Sequence, residues 1–185
     1  PTVRDTGGGI LVGMDFNVNP MSAVVAIRAA DECHILDALE LPVSNTEEMA
    51  AEIRRRYPNR TVIVCPDPSG RARKTSAPVG QTDFTILQRA GFKVRAPSVA
   101  PLVVDRENNT QAMLRSADGR ARIKVHPNAK ALIRAWDGLV YKEGTSQRDK
   151  TLGLDHIADA CDYLLWQEFN LLENRKAQPF SWRIA

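Results

Sequence analysis

Four aspartates stand where an ordinary buried core would not place them. Asp15 follows one short apolar run, and Asp67 follows a second, β-branched run. Asp155 and Asp159 are four residues apart in a segment of helical periodicity, so they share one helix face. Such like charges, if they converge, repel one another and raise their carboxylate pKa values unless divalent cations hold them together. An all-oxygen set of this kind suits Mg²⁺ or Mn²⁺.

Each of these acids also has an ordinary structural interpretation. Asp15 would end a strand and accept hydrogen bonds from turn amides, and Asp67, between two prolines, would shape a turn. Asp155 would be the N-cap of the last helix, and Asp159, like Asp162, would be a solvated helix residue. The order of the acids favours a cation site, since one follows the first strand, one follows its expected parallel neighbour and one lies on the closing helix.

Positive charge is concentrated in the middle of the chain. Residues 1–70 contain 6 Lys and Arg against 10 Asp and Glu, residues 71–150 contain 16 against 7, and residues 151–185 contain 3 against 5. A basic middle between acidic ends indicates a polyanion-binding surface beside a cluster of carboxylates, or else charges that mix on the folded surface.

These side chains need a scaffold that brings distant segments together. Three apolar runs, at 10–12, 23–27 and 33–39, predict an antiparallel meander. A helix from Asn45 to Tyr57, with Glu48 as the capping-box partner of Asn45, leads to the run at 61–65, which predicts a crossover to a parallel strand beside the first. Further along we expect helices at about 82–90, 106–116, 128–136 and 154–170, strands at 92–95 and 123–125, and a polar, mobile loop at 138–150. This order predicts a single α/β domain.

Length and composition exclude several classes of protein. The 185 residues, 43% hydrophobic and 25% charged, are typical of one globular domain and not of a fibrous or mostly disordered chain. No apolar run approaches the roughly 18 residues that a bilayer span needs, and the amino end lacks a signal-peptide pattern. The three cysteines are widely spaced without a CxxC pair, so neither a disulfide framework nor a zinc site is indicated. We therefore expect an intracellular domain.

Several short motifs stand in a characteristic order over residues 10–170. They are Gly-Met-Asp-Phe at 13–16, Pro-Asp-Pro-Ser-Gly at 66–70 followed by Arg-Ala-Arg-Lys-Thr-Ser, Thr-Asp-Phe at 82–84 with Ala-Gly-Phe at 90–92, Arg-Glu-Asn-Asn at 106–109, Val-His-Pro-Asn at 125–128 and Leu-Asp-His-Ile-Ala-Asp-Ala at 154–160. Their order and spacing resemble the nuclease domain of the large terminase subunit of tailed bacteriophages and prophages, within the ribonuclease H-like superfamily. The resemblance implies an α/β fold with a ribonuclease H-like mixed β-sheet, helices on both faces and a small extra hairpin. That domain would cover residues 1–173, with a C-terminal tail at 174–185.

For chemistry, the resemblance implies a metal-dependent endonuclease that cuts double-stranded DNA. The catalytic residues would be Asp15, Asp67 and Asp155, which would hold two divalent metal ions, Mg²⁺ or Mn²⁺, with Asp15 bridging them. Asp159 would be a further metal ligand or an orienting residue. Many relatives carry two adjacent acids where this chain has Asp155-His156, so the choice between Asp155 and Asp159 stays open.

The basic segment would then contact the DNA backbone. Arg71, Arg73 and Lys74 come soon after Asp67. Phosphate contacts hold DNA without reading its sequence, so we expect binding that is salt-sensitive and largely nonspecific. The residues expected to extend this track are Arg106, Arg120, Arg122 and Lys124.

The resemblance also implies partners and a location. These are double-stranded concatemeric DNA, the terminase ATPase domain, the small terminase subunit and the portal, in the host bacterial cytoplasm. The chain has no G-x-x-x-x-G-K-[ST] phosphate loop, so we expect it to be a domain excised from a longer protein, without the ATPase. Two other hypotheses remain: a Holliday-junction resolvase or ribonuclease H of the same fold, and a non-catalytic module that docks on DNA or the portal.

Overall fold

The computed structural model describes residues 3, 5–75, 77–145 and 147–171. The strands are β1 (Ile10–Asp15), β2 (Met21–Ala29), β3 (Glu32–Leu41), β4 (Val62–Pro66), β5 (Lys93–Val94) and β6 (Ile123–Val125). The helices are α1 (Thr46–Arg56), α2 (Asp83–Arg89), α3 (Val103–Leu114), α4 (Lys130–Gly138) and α5 (Asp155–Glu168), with a short 3-10 helix at Pro68–Arg71. The tail predicted at 174–185 lies outside the described residues.

The six strands form one mixed sheet in the order β5-β4-β1-β2-β3-β6. β1, β2 and β3 make the antiparallel meander that the sequence predicts, and β4 pairs with β1 in parallel. The register pairs Met14 with Pro66, and the Asp67 N–H donates to the Met14 carbonyl over 3.0 Å. Asp15 and Asp67, the next residue in each segment, therefore lie at the same end of the sheet.

Helices cover both faces of this sheet. Because alternate strand residues point to opposite faces, Val12 and Met14 pack with α1 and α2, whereas Leu11 packs with α3, α4 and α5. A single antiparallel bridge between Tyr141 and Arg148 adds a small hairpin outside the sheet. The predicted α/β class, with a mixed sheet between two helical layers, is confirmed. Among the described residues, every helix is too short or too polar to cross a bilayer.

A side-chain cap marks the start of α1 and α2, whereas α3, α4 and α5 begin without one. The Asn45 side chain caps α1 by accepting from the Glu48 N–H at 3.0 Å, as expected. The Glu48 carboxylate accepts from the Ser44 hydroxyl at 2.8 Å, so the capping box predicted with Asn45 is wrong for that half. α3 begins at Val103 and not at 106, because its first turn carries exposed valines that helical periodicity does not detect.

α5 is the helix that packs across β1 and neighbouring strands, and its C-terminal end is tied to two other elements. The Asn109 side chain, from α3, donates to the Leu165 carbonyl at 3.2 Å. Arg28, from β2, pairs with Glu168 at 3.2 Å. The position of α5 along the sheet is therefore fixed by polar contacts as well as by its apolar face.

Candidate active site

Gly13, in the middle of β1, sets how closely α5 approaches the sheet. An ideal Cβ at this position would overlap the Ala160 carbonyl oxygen and lie 2.8 Å from Leu164 Cβ. Carbon atoms in contact are about 3.5–4 Å apart. The absence of a side chain at Gly13 therefore lets α5 cross the strand at this distance, with its first turn beside Asp15.

Asp15 ends β1 and lies under the first turn of α5. Its Oδ2 is 3.1 Å from Nδ1 of His156, and the Asn17 Nδ2 lies 2.7 Å from the other nitrogen of that ring. Burial raises the pKa of Asp15 to about 6. The charge of Asp159 adds to this rise, His156 opposes it, and Asp67 contributes a smaller rise. This carboxylate therefore lies where additional positive charge would be favourable.

Asp67 begins the 3-10 helix that follows β4. Its carboxylate accepts from the Ser69 N–H at 2.9 Å and from the Ser69 hydroxyl at 2.8 Å, so the expected turn-shaping role is confirmed. Burial raises the pKa of Tyr163 on α5, and the nearby Asp67 carboxylate adds to that rise. The Asp67 carboxylate therefore lies on the α5 side of the sheet. Each carboxylate oxygen has two lone pairs, so these bonds leave capacity for a ligand role.

Asp155 is the most buried of the four predicted ligands, with 1% of its side chain exposed. It is the first residue of α5, and Leu154 occupies the N-cap position, so the interpretation of Asp155 as the N-cap is wrong. Among the described residues, its carboxylate has two close neighbours: Lys150 Nζ, 3.0 Å from Oδ2, and His156 Nε2, 4.0 Å from Oδ1.

Asp159 and Asp162 continue the same face of α5 and are not solvated helix residues. Asp159 Oδ1 is 3.0 Å from Arg148 Nη1 and 3.9 Å from Arg106 Nη1. Asp162 is fully buried, accepts from the Thr110 hydroxyl at 2.6 Å and pairs with Arg148 at 2.7 Å. Asp159 therefore has guanidinium partners of its own, whereas Asp155 has an ammonium on a flexible stem.

The four predicted ligands share one end of the sheet without forming a finished ligand set. In the part of the chain that the structure describes, no three His, Cys, Asp or Glu side chains are already clustered around a cation position. The donors nevertheless fit Mg²⁺ or Mn²⁺, because they are carboxylate oxygens. Asp155 is buried with the exposed ammonium of Lys150 beside it, and the pKa of Asp15 is raised by burial and by like charges.

A cavity of about 430 Å³ opens beside this end of α5. Asp155, Asp159 and Lys150 line it together with the exposed apolar residues at the start of α3. Another cavity, of about 320 Å³, lies where α1 and α2 begin, and none of the four predicted ligands lines it. The first cavity therefore marks the α5 side of the candidate site, and Asp15 and Asp67 lie outside its lining.

The basic residues that follow Asp67 have different surroundings. Arg71 donates to the carbonyls of Pro97 and Ser98 at 3.1 and 3.2 Å, so it holds a neighbouring loop. Lys74 is 64% exposed and lies 3.5 Å from Asp83. Arg73 is exposed. Arg71 ends the 3-10 helix, and Arg73 and Lys74 follow it, at the end of the sheet that carries Asp15 and Asp67.

The other predicted DNA-binding residues are elsewhere. Arg106 is 4% exposed and stacks on the Tyr163 ring at 3.9 Å, so its charge faces the interior. Arg122 and Lys124 lie at the start of β6, which runs parallel to β3 and so begins at the end of the sheet opposite Asp15. Their charges, and that of Arg120, are paired with Asp31, Glu32 and Asp118. The structure does not bring these four residues into one track with Arg73, and this is a correction to the predicted surface.

Sequence reasoning missed several residues of the site. Arg148 and Lys150 fall in a segment that polarity assigned to a mobile loop, yet Arg148 is buried. Glu107, on α3, is also buried and pairs with Arg148 at 2.9 Å. The sequence contains one signal for the acidic face of α5, because residues 155, 159 and 162 have the four-then-three spacing of a single helix face.

The fold is similar to those of solved phage proteins at low sequence identity. The large terminase from a thermophilic bacteriophage has a TM-score of 0.68 at 19% identity, over 91% of this chain and 42% of that one. The P22 large terminase nuclease domain has a TM-score of 0.66 at 14% identity, over 90% and 84%. The large terminase nuclease domain from bacteriophage SPP1, with bound Mn, has a TM-score of 0.56 at 14% identity, over 86% of each chain. No curated protein sequence matches the chain. The chain thus spans under half of the thermophilic phage terminase and most of the two nuclease domains.

The sequence itself matches a family model over most of its length. The model describes the terminase RNaseH-like domain and matches residues 12–168, from β1 to the end of α5. The matched region includes Asp15, Asp67, Asp155 and Asp159. The resemblance inferred from the short motifs is confirmed, and the chain belongs to the terminase RNaseH-like domain family.

Proposed function

We propose that this domain is a metal-dependent endonuclease that cuts double-stranded concatemeric DNA during viral packaging, with little sequence specificity. The observation that carries the proposal is the buried carboxylate of Asp155, which among the described residues has the exposed ammonium of Lys150 as its nearest charged partner and lies at the end of the sheet that also holds Asp15 and Asp67. A module that only docks on DNA gains nothing from acids that repel one another and the phosphates. A site that binds cations needs such acids as ligands.

Asp15, Asp67 and Asp155 would hold two divalent metal ions, Mg²⁺ or Mn²⁺, with Asp159 as a further ligand or orienting residue. The SPP1 relative, which contains bound Mn, supports a divalent cation. When bound, such ions activate the attacking water and stabilise the leaving oxygen in phosphodiester hydrolysis. Asp15 is close to both Asp67 on the neighbouring segment and the acids of α5, so it would help to hold both ions.

The surrounding side chains orient these carboxylates. His156 contacts Asp15, and Asn17 contacts the His156 ring, so the carboxylate and the imidazole restrict each other. Arg148 likewise restricts the orientation of the Asp159 carboxylate. Fixed orientation matters because a displacement of about 1 Å costs on the order of 100-fold in rate.

DNA would approach over the segment that follows Asp67. Arg73 and Lys74 are exposed there, and Arg71 supports the segment through the carbonyls of residues 97 and 98. Such contacts bind phosphates irrespective of base sequence. Arg106, Arg120, Arg122 and Lys124 are left out of this proposed surface because of their burial or their place on the sheet.

The wider setting is part of the same proposal. The domain would act in the host bacterial cytoplasm beside a terminase ATPase domain, with the small terminase subunit and the portal as further partners. The large terminase of the thermophilic phage, of which this chain spans 42%, supports the presence of another domain in such proteins.

The test is plasmid cleavage by the 185-residue chain in EDTA, Mg²⁺ or Mn²⁺. We expect nicking and linearisation with either metal and none in EDTA. The substitutions Asp15→Asn, Asp67→Asn and Asp155→Asn should abolish cleavage while salt-sensitive DNA binding persists. Asp137→Asn, which neutralises an exposed acid on α4, is the matched control and should cleave like the unaltered chain.

Other outcomes separate the remaining hypotheses. Cleavage restricted to four-way junctions by a dimer would favour a resolvase, and cleavage restricted to RNA–DNA hybrids would favour a ribonuclease H. DNA binding without cleavage under any metal, unchanged by Asp15→Asn, would favour a docking module. Equal cleavage by Asp15→Asn and Asp137→Asn would refute the proposed metal site.

A further inference from the structure

A short antiparallel turn brings two basic residues to the first turns of α5. The Lys142 N–H donates to the Gln147 carbonyl and the Asp149 N–H donates to the Val140 carbonyl, both at 2.8 Å. These bonds flank the bridge between Tyr141 and Arg148. The backbone just before Lys150 therefore has a defined course and is not an unstructured loop.

Arg148 fixes this segment to the body of the domain. Its guanidinium contacts three carboxylates, Glu107 at 2.9 Å, Asp159 at 3.0 Å and Asp162 at 2.7 Å. The Arg148 side chain is 8% exposed, so these pairs are largely shielded from water. A planar guanidinium with donors in a fixed fork makes such contacts in one orientation only. The chain two residues before Lys150 is thereby anchored on both α3 and α5.

Lys150 extends from this anchor to Asp155. Its Nζ is 3.0 Å from Asp155 Oδ2, and its side chain is 69% exposed, whereas that of Asp155 is 1% exposed. Among the described residues, this ammonium is the permanently charged cation within ion-pair distance of Asp155, and the His156 ring is 4.0 Å from the other carboxylate oxygen. An exposed lysine is usually free to move, but here its backbone is held by a buried neighbour.

We propose that Lys150 is a tethered counter-ion that competes with the divalent cation for Asp155. This inference rests on the proposed function, because it takes Asp155 to be a metal ligand. A divalent ion bound to Asp155 would repel an ammonium that remains 3.0 Å from the same carboxylate. Because the stem of Lys150 is exposed, the ammonium leaves toward water when the cation enters, without unfolding of the turn. The metal-free site is thus charge-compensated, and cation binding is weakened by the energy of the ion pair.

The experiment is a calorimetric titration of the 185-residue chain with Mn²⁺. Lys150→Met should bind Mn²⁺ roughly five-fold more tightly, the affinity equivalent of one solvent-exposed ion pair. Lys150→Arg, which keeps the charge, should bind like the unaltered chain. Lys142→Met is the matched control, since Lys142 is an exposed lysine of the same turn that lines the same cavity without pairing with Asp155, and its loss should change the affinity less than about two-fold.

Two further measurements make the result specific to Asp155. In EDTA, Lys150→Met should melt at a lower temperature than Lys142→Met, and saturating Mn²⁺ should raise its melting temperature by more. In an Asp155→Asn background, Lys150→Met should no longer tighten Mn²⁺ binding. Unchanged or weaker Mn²⁺ binding by Lys150→Met overturns the counter-ion proposal, while loss of binding by Asp15→Asn still supports the metal site. Absence of Mn²⁺ binding by the unaltered chain overturns both.

Discussion

Gly13→Ala is the substitution that most directly tests how the fold positions the acids. The new methyl would overlap the Ala160 carbonyl oxygen and lie 2.8 Å from Leu164 Cβ. Restoring an ordinary carbon contact of about 3.5–4 Å to Leu164 requires α5 to withdraw by about 1 Å, and relieving the overlap with the Ala160 oxygen requires at least as much. Because Asp155 and Asp159 lie on α5 and Asp15 lies on β1, that shift separates the two halves of the proposed site.

The expected magnitudes follow from overpacking and from displacement. An extra methyl in a packed core costs about 1–3 kcal/mol in the free energy of unfolding, and about 1 kcal/mol lowers the melting temperature of a domain this size by about 2–4 °C. A displacement of about 1 Å lowers the cleavage rate on the order of 100-fold. We therefore expect Gly13→Ala to fold, to melt several degrees lower and to lose nearly all metal-dependent cleavage.

Urea unfolding, Mn²⁺ titration and plasmid cleavage measure these effects on one preparation. Gly8→Ala is the control, because a Cβ there meets only the Thr6 hydroxyl oxygen at 3.9 Å. The control should keep its stability within about 0.5 kcal/mol and cleave normally. If Gly13→Ala matches Gly8→Ala in both stability and cleavage, the contact between β1 and α5 does not position the acids.

Three more predictions concern charge. Asp162→Asn removes a partner from buried Arg148, so we expect it to lower the free energy of unfolding by about 3 kcal/mol. Urea unfolding at about pH 7 measures this, and a loss below about 1 kcal/mol would contradict the buried pair. The pKa of Asp15 is about 6 against an ordinary value of 3.8, so metal-free stability should fall as pH rises through that interval. Mn²⁺ competes with the proton on Asp15, so the rise in melting temperature that Mn²⁺ causes should be small at about pH 5 and full at about pH 7.5. Asp15→Asn should lack this pH dependence. Arg73→Gln should weaken DNA binding uniformly across sequences and reduce the salt slope by about 1, whereas Arg122→Gln should leave binding unchanged; equal effects would refute the assigned surface.

The strand end that carries Asp15 and Asp67 could be predicted from local pattern. Each acid follows an apolar run, and a helix between the runs implies a parallel crossover, which is enough to align the two strand ends. The closing helix could be predicted from its spacing. These inferences succeed because alternation and helical periodicity are short-range properties of a chain.

The basic residues could not be assigned in the same way. Arg106 and Arg122 are 16 residues apart, but one is buried under α5 and the other begins a strand at the opposite edge of the sheet. Arg148 looked like a loop residue because its three partners come from two different helices. Long-range packing decides which charged side chains contact one another, and the composition of a segment does not reveal these contacts.

α5 is held at both ends, and this limits how the site can change shape. Asn109 and Arg28 tie down its C-terminal turns, and the Arg148 clamp ties down the turns that carry its acids. These contacts oppose sliding of the helix along its axis, so Asp155 and Asp159 are held as one unit. A change in the distance between these acids and Asp67 would then come from the segment after Asp67, on the other side of the site. A ligand or partner that alters cleavage by geometry would accordingly act on that segment and leave the helix still.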